Sequence, residues 1–262
     1  MRSKMQDIQK EPDNRRMPIQ KVGIKDLLYP ITVLDRENKL QHTVANVSMF
    51  VDLPHNFRGT HMSRFVEILN EQHGNISLRN LGTILKSITD RFDSTTAHLD
   101  IRFPYFVEKA APVSGAKSLM NYQCSFLADF SKKRKSQLLE LIVQVVVPIT
   151  ALCPCSKEIS DYGAHNQRGR ITARVRTRKL VWIEELIEIA EAEASAGVYS
   201  LLKREDEKYV TELAFNRPRF AEDIARAVAQ RLKQDTRIIW FQVESENFES
   251  IHNHNAYAMI TS

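Results

Sequence analysis

Val47, Met49, Val51 and Leu53 recur at every second position, the mark of a strand buried on one face. A shorter apolar run from Tyr29 to Leu34 precedes them and can pair with them across the polar turn Arg36–Asn38. The period then lengthens. Phe65, Ile68 and Leu69 form one stripe of a helix over about 63–72, and Leu81, Ile84, Leu85 and Ile88 form that of a helix over about 77–92. Gly74 and Asn75 between them are helix-stop residues. Alternation returns in Ala97, Leu99, Ile101 and Phe103, and again in Tyr122, Cys124, Phe126, Ala128 and Phe130. The order predicted is ββααββ.

The basic run Lys132–Lys135 marks a turn, after which the same order starts again. Leu139, Leu141, Val143, Val145 and Val147 alternate up to Pro148, and Ile171, Ala173 and Val175 alternate against Thr172, Arg174 and Arg176. Two amphipathic helices are predicted, over about 183–194 and about 220–232, the second with Phe220, Ile224, Val228 and Leu232 on its stripe. Strands near 238–244 and 255–260 close the chain, leaving 149–168 and 197–218 as irregular segments. The fold class expected is α+β, two tandem ββααββ units whose antiparallel sheets carry helices on one face. An arm to residue 17 precedes a first unit over 18–132 and a second over 133–262, which holds most of the reactive side chains. Sheets of this kind have edges to protect, and strand pairing between subunits would do so, which predicts an oligomer.

Composition narrows the classes. At 262 residues, 43% hydrophobic and 26% charged, the chain has the balance of a globular protein rather than a disordered or fibrous one. No stretch reaches the roughly 18 apolar residues of a membrane helix, and the polar N-terminus has no apolar h-region. Three cysteines are too few and too oddly spaced for a disulfide framework. These features together predict a soluble cytoplasmic protein with no membrane partner. A net charge of +5 is mild for a nucleic-acid binder and suits a small polyanion such as a nucleoside triphosphate equally well. The alternating arginines from Arg168 to Arg178 are equally readable as a solvated strand face.

Three clusters carry candidate chemistry. Cys153, Cys155 and His165 fall within thirteen residues of the first irregular segment, and thiolate and imidazole are the donors zinc prefers. One residue between the thiols is not zinc-finger spacing, and both cysteines are also readable as small buried apolar residues. His252 and His254, spaced to share one side of an extended segment, follow Glu244, Glu246 and Glu249; carboxylates beside imidazoles supply orienting partners or a proton relay. A solvated pair is the plain alternative. The third cluster, Glu205, Asp206 and Glu207 among basic residues, is also readable as a solvated loop.

The segments CPCSKEISDYGAHNQRG, KREDEKYVTE and VESENFESIHNH, with GTHMSRF at 59–65 and APVSG at 111–115, resemble the type IB GTP cyclohydrolase I family from about Pro18 to the C-terminus. The resemblance implies the tunnelling fold, ββααββ twice per chain, assembled as a homotetramer. It implies metal-dependent water attack on C8 of the guanine of GTP, release of formate and rearrangement to 7,8-dihydroneopterin triphosphate, a precursor for folate and 7-deazaguanine. C8 of a purine is a poor electrophile, so activated water and aimed proton donors are what the reaction needs. By motif, Cys153, His165 and Glu207 resemble the metal ligands, with zinc the expected ion and manganese or Fe(II) acceptable to the same donors. Cys155 resembles the catalytic thiol near C8, and Glu249 the carboxylate that takes guanine N1–H and the 2-amino group. His252 and His254 would be acid–base groups, His252 also a possible fourth ligand, with Glu222 an additional carboxylate. His61, Arg64 and Lys208 are the triphosphate donors expected. Two other readings compete: another tunnelling-fold pterin or purine enzyme, which would have no use for a Cys–His pair, and a nucleic-acid module with structural zinc, which would leave the His and carboxylate clusters idle.

Overall fold

The computed structural model describes residues 9, 11, 14–74, 76–132 and 138–262. Its elements run β1 (Ile19–Asp35), β2 (Lys39–Leu53), α1 (Ser63–Glu71), α2 (Leu81–Phe92), β3 (Thr96–Ala110), β4 (Lys117–Ser131) and β5 (Leu138–Leu152). Then follow α3 (Pro154–Ile159), β6 (Asn166–Thr177), α4 (Ile183–Ala192), β7 (Ala196–Gly197), α5 (Arg204–Asn216), α6 (Ala221–Gln234), β8 (Ile238–Asn247) and β9 (Ala256–Thr261). The long strands hydrogen-bond in the order β1-β2-β3-β4-β5-β6-β8-β9, with the short β7 on β5. The α+β class stands.

Two compact units divide the chain, Met1–Phe103 with Ser125–Leu141, and Pro104–Cys124 with Ile142–Ser262. In the first, β1 and β2 form a hairpin whose turn is tied by Asp35, the carboxylate accepting from the amides of Glu37 and Asn38 at 2.9 and 2.6 Å. Val47, Met49 and Val51 on β2 and Ala97, Leu99 and Ile101 on β3 are buried, as the alternation predicts. Helices α1 and α2 supply Phe65, Ile68, Leu69, Ile84, Leu85 and Ile88 to this core, and Phe65 stacks on Phe92 at 4.2 Å. Helix α2 starts four residues later than its periodicity suggests, because the Asn80 side chain accepts from the Ser77 amide at 2.9 Å and holds 77–80 as a turn. Gly74 ends the preceding stretch at φ 74; Asn75 and most of the basic run after Lys132 lie outside the described residues.

In the second unit, Val143, Val145, Val147, Ile149 and Ala151 of β5 are buried together with Ile171, Ala173 and Val175 of β6. Helix α4 buries Leu186, Ile187 and Ala190, and α6 buries Ile224, Val228 and Leu232. The irregular segments are shorter than expected. Strand β5 continues past Pro148, which pairs with Arg170, and the next segment contains α3. The segment 197–218 contains α5, a 13-residue helix read from the sequence as a loop. The second unit therefore carries three long helices rather than two. Three of its helices open alike: an acid at the third position accepts from the capping amide, Glu185 from Trp182 at 2.8 Å, Asp206 from Lys203 at 2.8 Å and Asp223 from Phe220 at 3.1 Å. Phe220 is thus a half-exposed cap instead of a core residue.

Candidate active site

The end of β5, α3 and the start of β6 make a tight return that a serine holds together. Cys153 is extended and caps α3, its Sγ accepting from the Ser156 amide at 3.5 Å, and Pro154 occupies the first helical position, where its missing N–H costs nothing. The Ser156 hydroxyl donates to the Cys153 carbonyl and accepts from the His165 amide, both at 3.2 Å. The Cys153 amide donates to the His165 carbonyl at 3.2 Å. Cys153 and His165 are therefore backbone neighbours across the return, and both side chains are half-buried. Cys155, one turn-step away, is exposed, so neither cysteine of this segment is a core residue; Cys124 is, and burial, with Glu184 nearby, pushes its thiol pKa far up.

His165 leads to a carboxylate through an amide. Its Nδ1 lies 3.0 Å from Gln167 Oε1, and Gln167 Nε2 donates to Glu249 Oε1 at 3.3 Å. The His165 and Glu249 side chains are only 15% and 12% exposed, and Nδ1 is 3.9 Å from Glu249 Oε2, too far for a direct hydrogen bond. The loop after β8 is pinned to β6 by the Phe248 amide, which donates to the Arg168 carbonyl at 3.0 Å. Gly169 lets the strands approach: a Cβ there would stand 2.7 Å from the Glu246 carbonyl oxygen and 2.9 Å from Asn247 Oδ1.

The other expected residues are less gathered. His252 and His254 lie in the β8–β9 loop rather than on a strand; both are exposed and their rings stack at 5.1 Å. Glu222 is exposed in the first turn of α6, and Glu207 in the first turn of α5. Lys208 pairs with Glu212 at 3.8 Å on the open side of α5. Among the described residues, no three His, Cys, Asp or Glu side chains converge closely enough to hold a metal ion. Cys153 and His165 are joined through their backbones, and thiol plus imidazole is a donor set that could hold zinc. His61 and Arg64 belong to the first unit, where they line a cavity of about 240 Å³ with Arg91 and Asp52.

Sequence reading did not single out Gln167, Ser156 or Asp206's anchoring role. Asp206 is buried and accepts from the amides of Val113 and Ser114 at 2.9 Å each and from the Ser114 hydroxyl at 2.6 Å, joining KREDEKYVTE to APVSG. Two of the four arginines of β6 are ion-paired to carboxylates of β8. Arg170 donates to Glu246 at 2.7 Å, Arg174 pairs with Glu244, and Arg176 stacks on Trp240 at 5.2 Å. That face is therefore not a bare basic stripe. A cavity of about 350 Å³ remains on it, lined by Arg168, Arg170, Pro148 and Phe248.

The fold is the tunnelling fold. Solved structures with the same architecture include a highly active urate oxidase mutant from Bacillus sp. TB-90 (TM-score 0.54, 10% identity, 93% of this chain and 99% of that one) and the uricase of Arthrobacter globiformis (TM-score 0.54, 10% identity, 92% of each). At that identity the likeness concerns fold alone. Sequence takes the assignment further: residues 5–258 match the family described as type I GTP cyclohydrolase folE2, and the chain belongs to that family. It is 56% identical over 256 residues to the GTP cyclohydrolase FolE2 of Pelobacter propionicus, covering 98% of both chains. It is 55% identical to that of Geotalea uraniireducens, covering 98% of this chain and 93% of the relative.

Proposed function

We propose that this protein is a GTP cyclohydrolase of type IB, opening the guanine imidazole ring of GTP at C8, releasing formate and closing the product to 7,8-dihydroneopterin triphosphate. Membership of the folE2 family over residues 5–258 is the observation that carries the reading. Cys153 and His165, backbone neighbours with half-buried donors, would hold a divalent metal with Glu207 as third ligand; zinc suits the donors best, and manganese or Fe(II) are acceptable. When bound, such an ion supplies Lewis acidity that makes hydroxide available near neutral pH.

The chain's own groups do the rest. Glu249, mostly enclosed, accepts from guanine N1–H and the 2-amino group, a two-point recognition that suits an ionised carboxylate. The exposed Cys155 thiol stands beside C8, and His252 and His254 move protons at the ring nitrogen and the ribose oxygen, with Glu222 as a further carboxylate. His61, Arg64 and Lys208 take the triphosphate. The working form is a cytoplasmic homotetramer; the terminal strands β1 and β9 support association between subunits in general.

The test is to strip the purified protein of metal, add back zinc or manganese with GTP, and follow formate together with pterin fluorescence after oxidation. Both signals appearing only with metal are expected. Formate without pterin would mean ring opening without reclosure, and neither signal would point to another tunnelling-fold pterin or purine enzyme.

A further inference from the structure

We propose that Gln167 is a positioning residue whose one carboxamide fixes both the free nitrogen of His165 and the aim of the Glu249 carboxylate. The inference rests on the cyclohydrolase reading, in which His165 faces the metal and Glu249 faces guanine.

Hydrogen-bond chemistry leaves a single consistent arrangement. An ionised carboxylate only accepts, so the amide end of Gln167 faces Glu249, which is the orientation at 3.3 Å. The carbonyl end is then turned to His165 Nδ1 at 3.0 Å, and because it too only accepts, Nδ1 carries the proton. A neutral imidazole protonated at Nδ1 has its lone pair on Nε2, so Nε2 is the nitrogen left for a metal. One carboxylate thereby selects a tautomer two side chains away. The relay is held from both sides: Gln167 is buried, on β6 opposite Ala151, and the Glu249 loop leaves β8 just after Asn247 pairs with Gly169 and is tied by the Phe248 amide to the Arg168 carbonyl. A buried amide with both ends used cannot turn over without losing both bonds.

Two substitutions separate the two ends. Gln167→Met keeps the length and removes both bonds. Gln167→Glu keeps an acceptor for His165 but sets a second carboxylate against Glu249. Zinc affinity is measured by competition titration of the metal-free protein, and guanine recognition by equilibrium binding of GTP against inosine triphosphate, which lacks the 2-amino group. Neither readout needs turnover. Gln167→Met should lose about 10–100-fold in zinc affinity and also lose preference for GTP. Gln167→Glu should hold zinc near the wild-type level while losing that preference. Circular dichroism checks folding, and should Gln167→Met not fold, the split in Gln167→Glu decides alone. Wild-type values in both variants, or equal loss of both properties in Gln167→Glu, would overturn the proposal. A wild-type protein that binds no zinc and turns over no GTP would instead sink the cyclohydrolase reading, and this inference with it.

Discussion

Ser114 and Asp206, 92 positions apart, form one joint: the Ser114 hydroxyl and amide both donate to the buried Asp206 carboxylate, at 2.6 and 2.9 Å. The same carboxylate takes the Lys203 amide at 2.8 Å and so caps α5. One acid thus starts the helix that carries Glu207 and fastens it to the β3–β4 turn. Ser114→Ala removes one donor of several and should cost about 1 kcal/mol. Asp206→Ala strands three amides and a hydroxyl together, so it should lower the melting temperature much more than Ser114→Ala does. Thermal melts of the two variants measure the ordering; equal losses would mean that α5 is held by other contacts.

Acid should weaken the same joint. Burial by itself would raise the Asp206 pKa, but the hydrogen bonds from Ser114, Lys203 and Val113 outweigh it and hold the carboxyl well below its usual range. A depressed folded-state pKa contributes stability that is complete above the unfolded value, near pH 4, and is lost as pH falls toward the folded one. The melting temperature should therefore drop on acidification below about pH 4, and Asp206→Asn should show a shallower drop over that range. An unchanged slope in Asp206→Asn would assign the acid sensitivity to other carboxylates.

How far the sequence carries this structure depends on what each segment buries. Strands β2, β3 and β6 and helices α1 and α6 bury an apolar stripe, so Val47, Leu99, Ile171, Phe65 and Ile224 declare them by period alone. Helix α5 buries only Asp206 and Ala214, so periodicity is silent there. Its signal was the acid three residues after Lys203, the same device that opens α4 and α6. The candidate site divides likewise. Cys153, His165 and Glu249 stand in unusual motifs, whereas Gln167 is an ordinary residue whose importance comes from burial between two others.

The three thiols should separate on alkylation. Cys124 is buried, and burial together with Glu184 holds its pKa far above the ordinary thiol range, so its reactive thiolate is scarce at neutral pH. Cys155 is exposed and Cys153 half-buried. Iodoacetamide at pH 8 should label Cys155 first, Cys153 next and Cys124 only after unfolding, read by mass spectrometry of peptides. On the proposed roles, Cys153→Ala should lower bound metal, while Cys155→Ala should keep metal and lose turnover. Full activity in Cys155→Ala would remove that thiol from the chemistry.

Gly169 gives the most localised test of how the site is held. It lies between Gln167 and the Arg170–Glu246 pair, opposite Asn247 across the β6–β8 ladder. A methyl group there would stand 2.7 Å from a backbone oxygen, which cannot swing aside as a side chain can, so Gly169→Ala must push the strands apart locally. Overpacking of this kind costs about 1–3 kcal/mol. The strain falls at the end of the ladder, where Phe248 and Glu249 leave β8, so Glu249 should move away from Gln167 more than the core strands move from each other. The expected variant is folded, melts lower, and binds GTP with a preference over inosine triphosphate reduced in the direction of Gln167→Met. Lower stability with unchanged preference would show that the loop follows the strand as a rigid piece and that the Gln167–Glu249 contact survives the displacement.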